Sequence, residues 1–270
     1  MSAVRIGIVG IAGRMGQAMV REIANSSGAV LGGGTERPGS EFLGKDPGLI
    51  AGSGATGVAI IDDAAAMFGN VDAVLDFTVP ALLPKHAALA AQGKTAYVVG
   101  TTGLEPEHFA ALEKASHHCA VVQSYNMSLG VNLLAGLTRQ IAAALGEDWD
   151  IEIVEMHHRM KVDAPSGTAI MLGEMAALGR GKALGSVSDR GRDGITGARK
   201  PGNIGFAALR GGNVAGEHTV IFAADNERIE ISHKATDRTI FARGAVRAAV
   251  WTKDRAPGLY RMADVLGLNG

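Results

Sequence analysis

Val4-Arg-Ile-Gly-Ile-Val9-Gly10-Ile-Ala-Gly13-Arg-Met-Gly16 opens this 270-residue chain and decides how it folds. Val4 to Val9 is a short apolar run rich in β-branched residues, which predicts a buried strand. The glycines that follow permit a tight turn, and Gln17 to Ala24 has the composition of a helix. A second strand candidate, Ala29 to Gly33, runs on to Thr35-Glu36-Arg37. The order is therefore strand, glycine turn, helix, strand. The Gly-x-x-Gly-x-x-Gly spacing is a variant of the commoner Gly-x-Gly-x-x-Gly, and alone it suits a purely structural turn equally well. Glu36, 20 positions beyond Gly16, shifts the balance. The first N–H groups of a helix lack intrahelical partners and can face an anion such as a pyrophosphate. A carboxylate closing the second strand can accept hydrogen bonds from a ribose diol. Arg37 either lies in solvent or pairs with a 2′-phosphate. Glu36 favours NADH and Arg37 permits NADPH, so both are expected to serve.

The alternation continues outward from this unit. Val58–Ile61, Val71–Phe77, Ala96–Val99 and Ala120–Gln123 are strand candidates, with helix-compatible stretches near Leu82–Ala91 and Pro106–Ala115. Alternating strands and helices predict an α/β fold with a Rossmann-like, doubly wound parallel sheet, whose ligands bind beyond the carboxyl ends of the strands. Phe77-Thr78, Gly100-Thr101-Thr102-Gly103 and Ser124-Tyr125-Asn126-Met127-Ser128 occupy those ends. Singly, each is explained as a loop capping the next helix. Together they form a rim for a nicotinamide and its ribose.

Around Ser128 the pattern changes. Leu129 to Leu145 predicts a long helix, and Trp149 to Met156 a strand alternating Ile151, Ile153 and Met156 with polar partners. A helix over Thr168–Ala177 follows the segment discussed below. Gly179 to Asn203 is a glycine-rich loop carrying six basic residues, Arg180 to Lys200, read either as a solvated, mobile loop or as a lid or subunit contact. Phe206–Leu209, His218–Phe222 and Arg228–His233 are strands without intervening helices, which predicts a separate α+β domain with a mixed sheet. Its edges need covering, so subunits are expected to associate through it. Phe241–Trp251 is helix-like, and the tail Leu259–Leu268 can return to the first domain. The expected division is 1–128 with 239–270, and 129–238.

Composition narrows the partners. With 26 basic and 27 acidic residues the net charge is −1, which gives no reason to expect nucleic acid or an anionic membrane. No apolar run approaches the ~18 residues that span a bilayer. The single cysteine, Cys119, lies in an apolar run and is expected to be a buried small hydrophobe. A cytoplasmic location is expected.

Glu155-Met-His157-His158-Arg-Met-Lys161-Val-Asp163-Ala-Pro165-Ser166-Gly167-Thr168-Ala carries the chemistry. Two imidazoles and an ammonium are poor core material unless paired. Pro165 and Ser166 suit a helix entry, whose open N–H groups invite a carboxylate. Adjacent histidines at a strand end should diverge, so that one faces the site. Lys161 is near enough to hold or protonate an acidic substrate. Adjacent histidines do not readily chelate one ion, and no metal is expected. A hydrolase using Ser166 with Lys161 would leave the nucleotide turn without a purpose. Another nicotinamide-dependent reductase and a non-catalytic dinucleotide sensor are the remaining alternatives.

This block resembles the signature of the 4-hydroxy-tetrahydrodipicolinate reductase (dihydrodipicolinate reductase) family. The glycine turn, Asp76-Phe77-Thr78, Gly100-Thr101-Thr102-Gly103, Ile204-Gly-Phe206, Gly216-Glu217-His218, Ser232-His-Lys-Ala235 and Phe241-Ala-x-Gly244-Ala245 extend the match over nearly the whole chain. The resemblance implies an NADH- or NADPH-dependent enzyme of diaminopimelate and lysine biosynthesis that reduces a cyclic dicarboxylate with loss of water. It implies dinucleotide contacts at Gly10, Ile11, Ala12, Gly13, Arg14, Met15, Glu36, Arg37, Gly100, Thr101, Thr102, Ser124, Tyr125, Asn126 and Met127. It further implies His157 as acid/base, Lys161 as proton donor, and His158, Gly167 and Thr168 as substrate contacts. A homotetramer joined through the second domain's sheet is implied as well. Tyr125 and Met127 depart from the smaller or phenylalanine-like residues expected in their loop.

Overall fold

β1 (Val4–Val9) is buried along nearly its whole length, because its apolar side chains serve both faces of a sheet. β2 (Ala29–Thr35), β3 (Ala73–Asp76), β4 (Ala96–Val99) and β5 (Ala120–Gln123) follow it. Helices Arg14–Ala24, Leu83–Gly93 and Pro106–Ser116 connect them. The structure is a computed structural model and describes residues 2–268. Residues 1, 269 and 270, assigned from sequence to the first domain, lie outside the described residues. The chain divides into two compact units, residues 2–129 with 239–268, and residues 130–238.

In the second unit β6 (Asp150–His157), β7 (Ser188–Asp189), β8 (Ile204–Arg210), β9 (Gly216–Ala223) and β10 (Arg228–Ala235) form one sheet in the order β10-β9-β6-β8-β7. β6 pairs antiparallel with β9 and parallel with β8, so the sheet is mixed. Helix Gly167–Gly179 supplies Ala169, Leu172 and Ala176 to the core formed with Ile151, Ile153, Val220 and Phe222. Fully burying a side chain such as Ile or Phe contributes roughly 1.5–3 kcal/mol. The chain then re-enters the first unit through helix Thr239–Trp251 and β11 (Gly258–Tyr260). That sheet is parallel throughout, ordered β11-β5-β4-β3-β1-β2. The doubly wound parallel sheet and the mixed sheet read from sequence are both present. No helix among the described residues is long and apolar enough to cross a membrane.

Two local expectations are corrected and a third is refined. Val58–Ile61 is not a strand, for its one ladder contact pairs Ile61 with Thr35. The loop before it is organised by Asp46, whose carboxylate accepts the N–H groups of Gly48, Thr56 and Gly57 at 2.7–2.8 Å. In β6 the period of two is strict, so Glu155 and His157 are buried alongside Ile151 and Ile153, while Met156 takes the other face. The basic loop is exposed over residues 190–198, as a solvated loop would be, and ion pairs cross it. Arg192 pairs with Glu152 at 2.8 Å and Asp189 at 2.9 Å, and Arg199 with Asp150 at 2.6 Å and Glu152 at 2.9 Å. A short helix, Leu184–Val187, and β7 also form there. Cys119 is buried as expected, and burial pushes its thiol up to about 11.

Candidate active site

In the first unit the glycine turn follows β1 directly. Gly10 adopts φ +67°, and the N–H groups of Gly10 and Ile11 both reach the Thr35 carbonyl, at 2.9 and 3.1 Å. This anchors the turn to the end of β2, where Glu36 begins. Helix Arg14–Ala24 has Gly13 at its N-cap and no side-chain cap, so its first N–H groups remain open to an anion. The Glu36 carboxylate accepts the Ala12 N–H at 2.9 Å. A cavity of about 200 Å³ is lined by the turn, Arg14, Met15 and Phe77. Open amides, a small-residue turn and a half-buried carboxylate fit the pyrophosphate and ribose of a dinucleotide.

The other expected cofactor residues differ in exposure. Arg37 and Thr102 are exposed, and Tyr125 is 61% exposed with its ring edge-on to Phe109. The side chains of Ile11 and Met127 belong to the hydrophobic core, so only their backbones are available to a ligand. Ser124 and Asn126 close their own loop: Ser124 Oγ donates to the Asn126 carbonyl at 2.8 Å, and Asn126 Oδ1 accepts the Ser128 N–H at 2.9 Å. The Thr101 hydroxyl is buried and directed at Asp76.

Asp76, at the end of β3, is a hub. Its carboxylate accepts the Thr78 N–H at 2.9 Å, the Thr78 hydroxyl at 2.6 Å and the Tyr97 hydroxyl at 2.6 Å, and pairs with His86 Nδ1 at 2.7 Å. Burial alone would raise its pKa, yet the His86 contact and the two hydroxyls outweigh burial and hold it below the ordinary carboxylate value. Burial and the Asp76 charge drive the Tyr97 phenol well above its usual value. The hub joins the turns that follow β3 and β4, two of the three segments of the expected rim.

In the second unit the end of β6 carries the reactive groups. His157 Nδ1 lies 2.6 Å from Glu155 Oε2, and both residues are buried. Arg210, at the end of β8, reaches both Glu155 oxygens, at 2.8 and 2.9 Å. Burial pushes Glu155 up, but Arg210, His157 and the Ser166 N–H together hold it below the ordinary value. Ser166 caps helix Gly167–Gly179 by accepting the Ala169 N–H at 3.2 Å, and its hydroxyl lies 3.1 Å from His218 Nε2. The His157 and His218 rings meet edge-to-face at 5.1 Å. Lys161 Nζ pairs with both oxygens of Asp163, at 2.7 and 2.9 Å, which keeps Asp163 low. His158 and Thr168 are half-buried and Gly167 is exposed. His157, Lys161 and the helix entry thus share one end of one sheet. Among the described residues no group of three or more His, Cys, Asp or Glu could hold a metal ion.

Two family models match, described as dihydrodipicolinate reductase N-terminus over residues 4–127 and dihydrodipicolinate reductase C-terminus over residues 130–266. The chain belongs to the dihydrodipicolinate reductase family. Relatives of that family from Cereibacter sphaeroides (strain ATCC 17023) and Rhodopseudomonas palustris (strain HaA2) are named 4-hydroxy-tetrahydrodipicolinate reductase. The first is 57% identical over 261 residues, 97% of each chain, and the second 56% identical over 268 residues, 99% of each. A dipicolinate-bound dihydrodipicolinate reductase from Paenisporosarcina sp. TG-14 has the same fold, with TM-score 0.77 at 22% identity over 97% of this chain and 99% of that one. GenD2 from gentamicin A biosynthesis, solved with NAD, shares the fold at TM-score 0.62 and 15% identity, covering 99% of this chain and 91% of that one. This member of the reductase family is thus an oxidoreductase whose N-terminal unit is a dinucleotide-binding fold.

Several residues of this reductase had no role assignable from sequence. Asp76, Glu155 and His218 lie inside recognisable motifs, but Tyr97, which meets Asp76, Arg210, which meets Glu155, and Ser166, which meets His218, are distant from them in the chain. Strict alternation along β6 was the available signal for Glu155. Arg210 shows only as a charge ending an apolar strand, with nothing in its neighbourhood to name its partner.

Proposed function

We propose that this chain reduces 4-hydroxy-tetrahydrodipicolinate to tetrahydrodipicolinate with loss of water, in diaminopimelate and lysine biosynthesis, using NADH or NADPH. The carrying observation is a buried His157–Glu155 pair beside Lys161 and the helix entry at Ser166, in a chain 57% identical along 97% of its length to a relative of that name.

Gly10, Ala12, Gly13, Arg14 and Met15, with the Ile11 backbone, cradle the pyrophosphate, Glu36 accepts from the adenosine ribose, and Arg37 meets a 2′-phosphate when one is present. The turns Gly100 to Thr102 and Ser124 to Met127 serve the nicotinamide end. His158, Gly167 and Thr168 hold the substrate carboxylates, the last two at the positive end of a 13-residue helix. Bound reduced nicotinamide supplies a hydride. Loss of the hydroxyl with a neighbouring ring hydrogen, as water, leaves a conjugated imine across which that hydride and one proton add. His157 and Lys161 furnish the proton and stabilise the charge on the ring, a contribution typically of 10²–10⁴-fold. The second unit carries the substrate contacts and the subunit contacts of a homotetramer, and the enzyme works in the cytoplasm as expected of an amino-acid biosynthetic enzyme.

The test mixes the protein with NADH or NADPH and the fresh condensation product of pyruvate and aspartate semialdehyde, then follows nicotinamide absorbance. Oxidation that depends on the condensation product supports the reading, and a flat trace with both coenzymes overturns it. Sedimentation equilibrium decides the tetramer.

A further inference from the structure

A carboxylate that is 1% exposed, as Glu155 is, would ordinarily cost free energy to bury. Here it receives four donors. Oε1 accepts from Arg210 Nη2 at 2.9 Å and from the Ser166 N–H at 3.1 Å, while Oε2 accepts from Arg210 Nη1 at 2.8 Å and faces His157 Nδ1 at 2.6 Å. Replacing a buried ion pair by packed apolar residues is often neutral or stabilising, so such a pair is weak evidence of a role in stability alone. Its geometry has a chemical consequence. An ionised carboxylate only accepts hydrogen bonds, so the imidazole nitrogen beside it must donate. That places the His157 proton on Nδ1. Nε2 is then the nitrogen that exchanges protons with anything else.

Gly216 lies against that second nitrogen, and His218 packs on the ring. A Cβ on Gly216 would stand 3.0 Å from His157 Nε2, so any larger residue there would press on the ring. His218, whose ring meets His157 edge-to-face, directs its own Nε2 to the Ser166 hydroxyl. Arg210 also reaches past Glu155: its Nη2 donates to the Asp163 carbonyl at 2.6 Å, and the Asp163 carboxylate holds Lys161. One guanidinium therefore braces both groups assigned to proton handling.

We propose that Glu155 and Arg210 are positioning residues that fix His157 with its proton on Nδ1 and hold the Lys161 segment in register with it. The proposal rests on the reductase reading above for what the imidazole does, but not for how it is held. The experiment therefore has a structural arm and a kinetic arm. In the first, ¹⁵N-labelled wild-type protein is examined by long-range ¹H–¹⁵N correlation at neutral pH, with His157→Gln identifying the signal. A proton on Nδ1 is expected, and one on Nε2 overturns the proposal without any measurement of activity. In the second, Glu155→Gln and Arg210→Met are compared with wild type. A glutamine amide can donate or accept, so it no longer dictates the tautomer. Turnover should fall by on the order of 10²-fold in Glu155→Gln while the KM for NADH stays within about twofold. Wild-type turnover in Glu155→Gln overturns the proposal and leaves the reductase reading intact. Absence of turnover in the wild type overturns the reading and leaves the tautomer result standing. If neither variant folds, the wild-type spectrum alone decides.

Discussion

His218 should make the second unit sensitive to mild acid, and replacing it with glutamine should remove part of that sensitivity. The residue is 4% exposed, and its Nδ1 finds no hydrogen-bond partner among the described residues. Burial first, then the neighbouring His157, lower its pKa from 6.5 to about 4; His233 and Lys161 act the same way and Glu155 opposes them. The folded state thus holds a neutral imidazole that the unfolded chain would protonate more readily. The associated stability is present above the unfolded value of 6.5 and is lost as pH falls toward 4. Linkage gives a loss of about 2 kcal/mol between pH 7.5 and pH 5, with a ceiling of roughly 3.4 kcal/mol below both values. Glutamine can reach Ser166 with a group that stays neutral throughout. Urea unfolding of wild type and His218→Gln at the two pH values measures the difference. The depressed carboxylates Asp76, Glu155 and Asp163 keep their stabilising contribution down to their ordinary values of 3.8 to 4.5 and lose it only as pH falls below them, so they change little between pH 7.5 and pH 5. The wild type should lose about 2 kcal/mol more than the variant over this interval. Equal losses would refute the assignment of a buried, neutral His218.

Other outcomes follow from the same structure. Glu36→Ala should weaken NADH binding by about tenfold, the size of one charge-assisted hydrogen bond, in a fluorescence titration; unchanged affinity removes Glu36 from the ribose site. His157→Ala and Lys161→Ala should each lower turnover by on the order of 10²–10³-fold with little change in NADH affinity, and equal losses in both quantities count against their role. Gly244→Ala should be strongly destabilising. A Cβ there would lie 1.7 Å from the Met127 carbonyl, a backbone atom that moves only if the 124–128 loop or helix Thr239–Trp251 shifts. A cost of about 3 kcal/mol should appear as a lowered Tm, and an unchanged Tm would mean that the helix slides freely.

Local patterns carried much of this protein. The early strand, the glycine turn and Glu36 announce a nucleotide-binding βαβ unit, because turn geometry and helix N-termini are properties of neighbouring residues. The shift after Ser128 from alternating strands and helices to successive strands announces a second sheet. The segment from Glu155 to Thr168 announces its chemistry for the same reason, since an imidazole, an ammonium and a helix entry lie within one short stretch. Val58–Ile61 misleads because an apolar tetrapeptide carries no information about whether an acidic side chain elsewhere will claim its flanking amides.

Pairing across the sheet lay beyond that reach. Arg210 meets Glu155 across 55 positions because β8 lies beside β6, and His218 meets Ser166 across 52 because β9 lies on the other side. Tyr97 and His86 find Asp76 in the same way, one from the neighbouring strand and one from the following helix. Which nitrogen of His157 bears the proton depends on Glu155 staying ionised beside Arg210, and the ion pairs of the basic loop depend on Asp150 and Glu152 of β6. Sequence dictates which groups are available and what each can do in isolation. Tertiary structure decides which of them are desolvated together, and desolvation turns a buried carboxylate into the group that sets a histidine's tautomer.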